Sequence, residues 1–208
     1  MSTLVISIAL VALMTSLPVA EQSTAREPII GGSCEGCEYV FDGMPRTLDW
    51  AGRISPPEQK GTALRIDGVV RDRAGKPVPG VIVYAYQTDA GGLYPGGSTR
   101  HGGLRGWVKT DAAGRYRFDT IRPGGYPNTT IPQHIHMHVI EPGRATYYID
   151  DIVFTDDPRL TPAERPRYVT GRGGNGLVTP VRRDGRLEVT RDIVLRQNLG
   201  GPGTEDSQ

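Results

Sequence analysis

Residues 120–139 read TIRPGGYPNTTIPQHIHMHV. A turn around Pro123, Gly124 and Gly125 presents Tyr126, and the segment then runs into a strand with three alternating histidines. Side chains at i, i+2 and i+4 of an extended strand leave the same face. His134, His136 and His138 therefore share one face, while Ile135, Met137 and Val139 turn towards a core. Three of the chain's four histidines on one strand face point to a metal site. Alternate strand residues lie roughly 6.5 Å apart and metal–nitrogen bonds are about 2 Å long. Neighbouring pairs can chelate one ion, whereas His134 and His138, roughly 13 Å apart, cannot without bending the strand. His136 is the shared ligand, partnered by His134 or His138. The competing reading is a row of solvent-facing histidines.

Working outward, the sequence is all-β in texture. Leu64, Ile66, Val69 and Val70 mark a strand, closed by a turn at Arg73–Lys76. PVPGVIVYAYQTD follows, with Val81, Val83 and Ala85 alternating against Ile82, Tyr84 and Tyr86. A Gly-rich loop, AGGLYPGGSTRHGGLRG, carries Tyr94; strands follow at Trp107–Thr110 and, after the turn Asp111–Gly114, at RYRFDTI. Further strands are expected at Asp151–Phe154 and Arg186–Leu195, and TPAERPRYV holds one short helical turn at most. Short strands separated by turn signals predict an Ig-like β-sandwich with long loops over residues 63–197. Residues 198–208 read as a flexible tail.

The 24 Lys and Arg nearly cancel the 23 Asp and Glu, which gives no case for nucleic acid or an anionic membrane as partner. The N-terminus carries an apolar run from Leu4 to Met14 with no charged side chain before Glu21. That run is too short for a span of about 20 residues and suits a secretory signal over residues 1–25, cleaved after Ala20 or Ala25. Export is the expectation. Residues 26–62 form an extension containing Cys34 and Cys37; a single C-x-x-C lacks the four ligands of a closed zinc site, and in an exported chain it predicts a small disulfide loop.

Tyr94, the T-D-A-A-G-R-Y-R-F strand, the I-R-P-G-G-Y-P turn and H-I-H together resemble the intradiol ring-cleavage dioxygenases, the family of protocatechuate 3,4- and catechol 1,2-dioxygenases. The resemblance covers roughly residues 63–160. It implies a prealbumin-like sandwich and a non-haem ferric iron held by Tyr94, Tyr126, His134 and His136, leaving His138 outside the set. It also implies cleavage of a catechol by dioxygen between its hydroxyl-bearing carbons, giving a cis,cis-muconate-type diacid, with Tyr126 displaced by substrate and acting as base. Two phenolates and a hydroxide suit the charge of Fe(III). Two positions depart from the family. Ile131 stands where many members carry an arginine, for which Arg100, Arg105 or Arg122 could substitute in space. Asp151 stands where protocatechuate enzymes often have glutamine, and a carboxylate there disfavours an anionic substrate. The alternative is a non-catalytic carboxypeptidase-regulatory-like or transthyretin-like binding module, which shares the G-x-V-x-D…G-K-P-V-P-G-V grammar but leaves both tyrosines and the histidine strand without a purpose.

Overall fold

The structure is a computed structural model and describes residues 28–31, 36–97 and 99–199. The expected signal segment, Cys34 and the expected tail from Gly200 onward lie outside the described residues. A 3-10 turn at Cys37–Phe41 is followed by β1 (Ala51–Arg53), β2 (Ala63–Arg71), β3 (Ile82–Tyr86), β4 (Arg105–Lys109), β5 (Arg115–Ile121), β6 (His134–Glu141) and β7 (Ala145–Phe154). Then come α1 (Arg165–Val169), β8 (Leu177–Val178), β9 (Val181–Arg183), β10 (Arg186–Thr190) and β11 (Ile193–Val194). No helix among the described residues is long and apolar enough to cross a membrane.

The strands form two packed sheets. One runs β1-β5-β2-β10-β9, with β11 also on β2; the other runs β4-β3-β6-β7-β8. Leu64, Ile66 and Phe118 from the first meet Val83, Ala85, Ile135, Met137 and Val139 from the second in one apolar core. The inward set of β6 is the one the sequence predicts, and on β3 it is Val83 and Ala85 that face this core. The outer face of β3 is not left to solvent. Ile82, Tyr84 and Tyr86 form a second cluster with Val40, over which Phe41, Met44 and Leu48 pack. Trp107 Nε1 donates to the Val40 carbonyl at 2.7 Å, and β1 pairs with β5. Residues 37–53 are therefore woven into the sandwich. Cys37 is buried and disulfide-bonded.

Two turns repeat one chemistry. Asp72 Oδ1 accepts from the N–H groups of Ala74 and Lys76, and Asp111 Oδ1 from those of Ala113 and Arg115, all at 2.9 Å. Each D-x-A-G sequence closes with a glycine at positive φ, Gly75 and Gly114.

The late strand expected at Arg186–Leu195 is two strands. β10 and β11 follow β2 in one register, Thr190 opposite Asp67 and Ile193 opposite Val70. Between them Arg191 turns into the interior and is fully buried. Its guanidinium donates to the carbonyls of Gly173 at 3.1 Å, Asp192 at 2.8 Å and Asp150 at 3.3 Å, joining β7 and the loop before β8 to the first sheet. A carbonyl left dry and unpaired costs about 1–3 kcal/mol. Arg191→Met should therefore lower unfolding free energy by about 3 kcal/mol or more, read by urea denaturation; a loss below about 1 kcal/mol would show that these bonds are dispensable.

Two loops converge on the end of the sandwich that carries the histidines. The β3–β4 loop begins with Gln87, whose side chain bonds the Ile121 carbonyl at 2.9 Å and Thr120 Oγ1 at 3.0 Å. Asp89 Oδ1 then holds the Gly91 and Leu93 N–H groups, and the Asp89 carbonyl accepts from Gly124 N at 2.7 Å. Gly92, at φ +82, lies directly against the Gly125 carbonyl, and Gly124 lies against Gly92 N. A side chain on either glycine would force backbone apart. Gly92→Ala should therefore separate the loops that present Tyr94 and Tyr126. The expected result is loss of the close phenol contact, seen as altered tyrosine absorbance and fluorescence, with the core's melting transition kept.

Candidate metal centre

The β-strand spacing of His134 and His136 and the convergence of the two glycine loops assemble one polar cluster. Tyr94 Oη lies 2.6 Å from Tyr126 Oη and 3.0 Å from His136 Nε2, and Tyr126 Oη lies 3.3 Å from the same nitrogen. The His134 ring stands edge-on to both Tyr126 and His136, at centroid separations of 5.0 and 4.7 Å. All four residues named from the sequence thus meet at one place, each partly buried.

Each imidazole has one nitrogen fixed from behind. His134 Nδ1 is 2.7 Å from the Pro132 carbonyl, and His136 Nδ1 is 3.0 Å from Asp151 Oδ1. Both partners accept, so each Nδ1 carries the proton and donates. Both Nε2 lone pairs are left for the cluster. Asp151 Oδ1 also accepts from Tyr148 Oη at 2.7 Å.

The cluster is charge-poor on its own. Burial, and then the hydrogen bond to Tyr126, push the Tyr94 phenol far above its usual value. Burial lowers His134 despite the pull of Asp151. Burial opposes ionisation of Asp151, but His136, His134 and the Tyr148 hydroxyl together outweigh it and bring the carboxyl down to about 2. The arrangement fits a cation. Ligands about 2 Å from one ion stand roughly 2.8–3.5 Å apart, close to the separations among Tyr94 Oη, Tyr126 Oη and His136 Nε2. Phenolate oxygen is a hard donor that suits a high-charge ion. His134, His136 and Asp151 also offer donor atoms within 4.8 Å of one another. Asp151 nevertheless faces Nδ1 of His136, on the side of the ring away from the tyrosines.

His138 is not exposed. It is fully buried between Tyr84, Tyr86, Tyr148 and His101, at centroid separations of 5.4–6.0 Å. Burial, helped by His101 and His136, brings its pKa down to about 3, so it is a neutral member of the second core. The sequence reading missed His101, which is buried, stacks on Tyr86 at 3.8 Å and bonds Tyr84 Oη through Nδ1 at 2.8 Å. Tyr86 in turn stacks on His136 at 4.4 Å. The outward phase of Tyr84 and Tyr86 on β3 was the available signal; His101 sits in an irregular loop and had none.

The candidate replacements for an arginine at Ile131 are placed elsewhere. Arg122 makes a bidentate pair with Asp156 and bonds Gln133, Arg105 bonds Thr99 and lies over Trp107, and Arg100 is exposed. A different guanidinium, that of Arg159, packs on the turn. It lies against Gly125 and donates to the carbonyls of Tyr126 at 3.2 Å and Ile131 at 3.4 Å. Its role is to brace the turn that presents Tyr126.

The family described as Dioxygenase matches residues 35–170. The chain is 34% identical over 115 residues to the protocatechuate 3,4-dioxygenase beta chain of Burkholderia cepacia, covering 50% of this chain and 49% of that one. It is 42% identical over 112 residues to catechol 1,2-dioxygenase 1 of Acinetobacter lwoffii, covering 45% of this chain and 36% of that one. The chain therefore spans half or less of these curated relatives. Among solved structures it resembles the dioxygenase domain of a dioxygenase–carbohydrate-binding fusion from Streptomyces sp. SirexAA-E. The TM-score is 0.55 at 28% identity, covering 74% of this chain and 94% of that one. These matches do not favour the binding-module alternative. By the extent of the family match and the fold it shares, the chain belongs to the intradiol ring-cleavage dioxygenases.

Proposed function

We propose that the chain cleaves an uncharged catechol with dioxygen, between the two hydroxyl-bearing carbons, using ferric non-haem iron held by Tyr94, Tyr126, His134 and His136. The observation that carries this is the contact cluster of Tyr94 Oη, Tyr126 Oη and His136 Nε2, all within 3.3 Å. When bound, a ferric ion would supply a Lewis acid that draws electron density from the catechol ring.

The protein's residues divide the remaining work. Tyr94 is anchored: its ring packs against the Tyr84–Tyr86 cluster, 6.2 Å from Tyr86. Tyr126 is carried on a Pro/Gly turn braced through its backbone by Arg159, with its ring edge-on to His134. That asymmetry supports Tyr126 as the phenolate that yields to substrate, its Oη accepting a catechol hydroxyl proton. His134 and His136 keep their Nε2 lone pairs in place because Pro132 and Asp151 hold the opposite nitrogens. The preference for an uncharged ring rests on Asp151, which carries negative charge beside the centre, and on Ile131, which is exposed and offers no cation. The apolar N-terminal run supports export of the chain; N-terminal sequencing of the secreted protein would test it, and an intact Met1 would refute it.

Loading with one equivalent of Fe(III) should give a visible tyrosinate charge-transfer band that shifts on anaerobic addition of catechol. Admitting labelled dioxygen should yield a ring-opened diacid carrying both label atoms. Tyr94→Phe should weaken the band, and Tyr126→Phe should lower kcat/KM for catechol by about 100-fold or more. A protein that stays colourless with ferric iron would refute the ligand set. Equal kcat/KM for catechol and for 3,4-dihydroxybenzoate would refute the preference for uncharged rings.

A further inference from the structure

We propose that Asp151 is a positioning residue of the centre and not one of its ligands: it fixes the tautomer of His136 and makes that imidazole a stronger electron donor. The inference deepens the tyrosinate–iron reading and rests on it.

The argument begins in the strand register. On β6 and β7, Ile135 opposes Ile152 and Met137 opposes Ile149. One residue, His136, thus faces two, Asp150 and Asp151, which is a β-bulge. Its effect is visible in the core. Tyr147 and Ile149 point inward, and so do Ile152 and Phe154, a change of phase that strict alternation forbids. Both aspartates are thereby turned out of the core. Asp150 is taken by Arg172, whose Nε lies 2.9 Å from Oδ1 and whose backbone N–H lies 3.1 Å from Oδ2. Asp151 is left to His136.

The Asp151 carboxylate is itself held. Its Oδ1 accepts from His136 Nδ1 at 3.0 Å and from Tyr148 Oη at 2.7 Å, and Tyr148 lies under the Arg172 guanidinium at 4.6 Å. Rotating the imidazole would break the first bond and swing Nε2 away from the tyrosines. The same geometry argues against direct ligation. Asp151 Oδ1 and the two phenol oxygens bond opposite nitrogens of one ring, so an ion taken by the tyrosines has the imidazole between itself and that oxygen. A hydrogen-bonded carboxylate behind a ligating histidine raises the ligand's basicity, whereas a neutral amide at that position orients the ring without adding charge.

The test uses the full chain and two variants, Asp151→Asn and Asp151→Leu. In the metal-free wild type at mildly alkaline pH, nitrogen NMR of labelled histidines should show His136 as a single Nδ1–H tautomer. Asp151→Leu removes the acceptor and should give a mixture of tautomers. Asp151→Asn keeps an acceptor, and so the tautomer, but should bind Fe(III) about 10- to 100-fold more weakly. Its charge-transfer band should move to longer wavelength, because a poorer imidazole donor leaves the iron more electron-demanding. The near-isosteric Asp151→Asn decides the matter alone if Asp151→Leu does not fold. An unchanged tautomer in Asp151→Leu, or unchanged affinity and band in Asp151→Asn, would overturn the proposal. Complete loss of iron from Asp151→Asn, with the Tyr94→Phe band intact, would overturn it in favour of direct ligation. A wild type that binds ferric iron without colour defeats the tyrosinate reading instead, and the metal-free tautomer still decides what Asp151 does to His136.

Discussion

The centre depends on one backbone contact. Tyr94 and Tyr126 lie 32 residues apart, on loops that follow β3 of one sheet and β5 of the other, yet their oxygens are 2.6 Å apart. What closes that gap is the meeting of Gly92 with Gly124 and Gly125, peptide against peptide, sealed by Gly124 N on the Asp89 carbonyl and Thr88 Oγ1 on the Gly124 carbonyl. Side chains could not do this as well. A contact through long side chains has slack in every torsion, while two packed backbones bonded to each other set the starting points of both tyrosines. Gln87, bolted to the end of β5, extends the same fixing into the sandwich.

The second device is the extra residue in β7. A regular strand opposite His136 would offer one outward side chain; the bulge offers two, and the pair divides between Arg172 and His136. Arg191 reaches the carbonyl of Asp150 from the other sheet, so the bulge is supported from within as well as from the side. A local irregularity in the ladder is thus converted into a directed hydrogen bond at the centre.

Most of the fold was legible because its signal is periodic. The alternation in His134–Val139 predicted its inward set correctly, that in Val81–Tyr86 marked a strand, and the D-x-A-G turns sit where their side-chain chemistry requires. The four cluster residues were legible for a different reason, since family resemblance supplied pairings that spacing left open. What escaped depends on non-local contact. Nothing local announces that residues 40–48 fold back across Tyr84 and Tyr86, or that His138, left outside the ligand set, is fully buried. The break at Arg191 was hidden inside RLEVTRDIVL, whose register along β2 is continuous on both sides of it. The bulge had left a trace, because in ATYYIDDIVF the inward positions shift from odd to even across Asp150–Asp151. A phase change in so short a strand reads as two strands or as noise until its partner is known.

Charge decides which ion the cluster prefers. Without a cation, burial keeps the Tyr94 phenol protonated and disfavours the charged form of His134. Asp151 is the exception, ionised and set behind His136. With the proposed ligand set, an ion that displaces both phenol protons would sit beside three negative charges from the chain, those of Tyr94, Tyr126 and Asp151. A divalent ion leaves one of them unbalanced in a partly buried place, where uncompensated charge is costly. A trivalent ion balances the three charges that the chain itself supplies, which supports the proposed ferric iron. Under the proposed reaction, a catechol that gives one proton to Tyr126 would replace one negative charge by another. Loss of the second proton must then be accommodated by the loss of another anion or by a cation nearby. The guanidinium packed on that turn, that of Arg159, donates to the carbonyls of Tyr126 and Ile131. With no arginine at position 131 to take a further charge, this electrostatic arrangement supports the proposed preference for an uncharged ring.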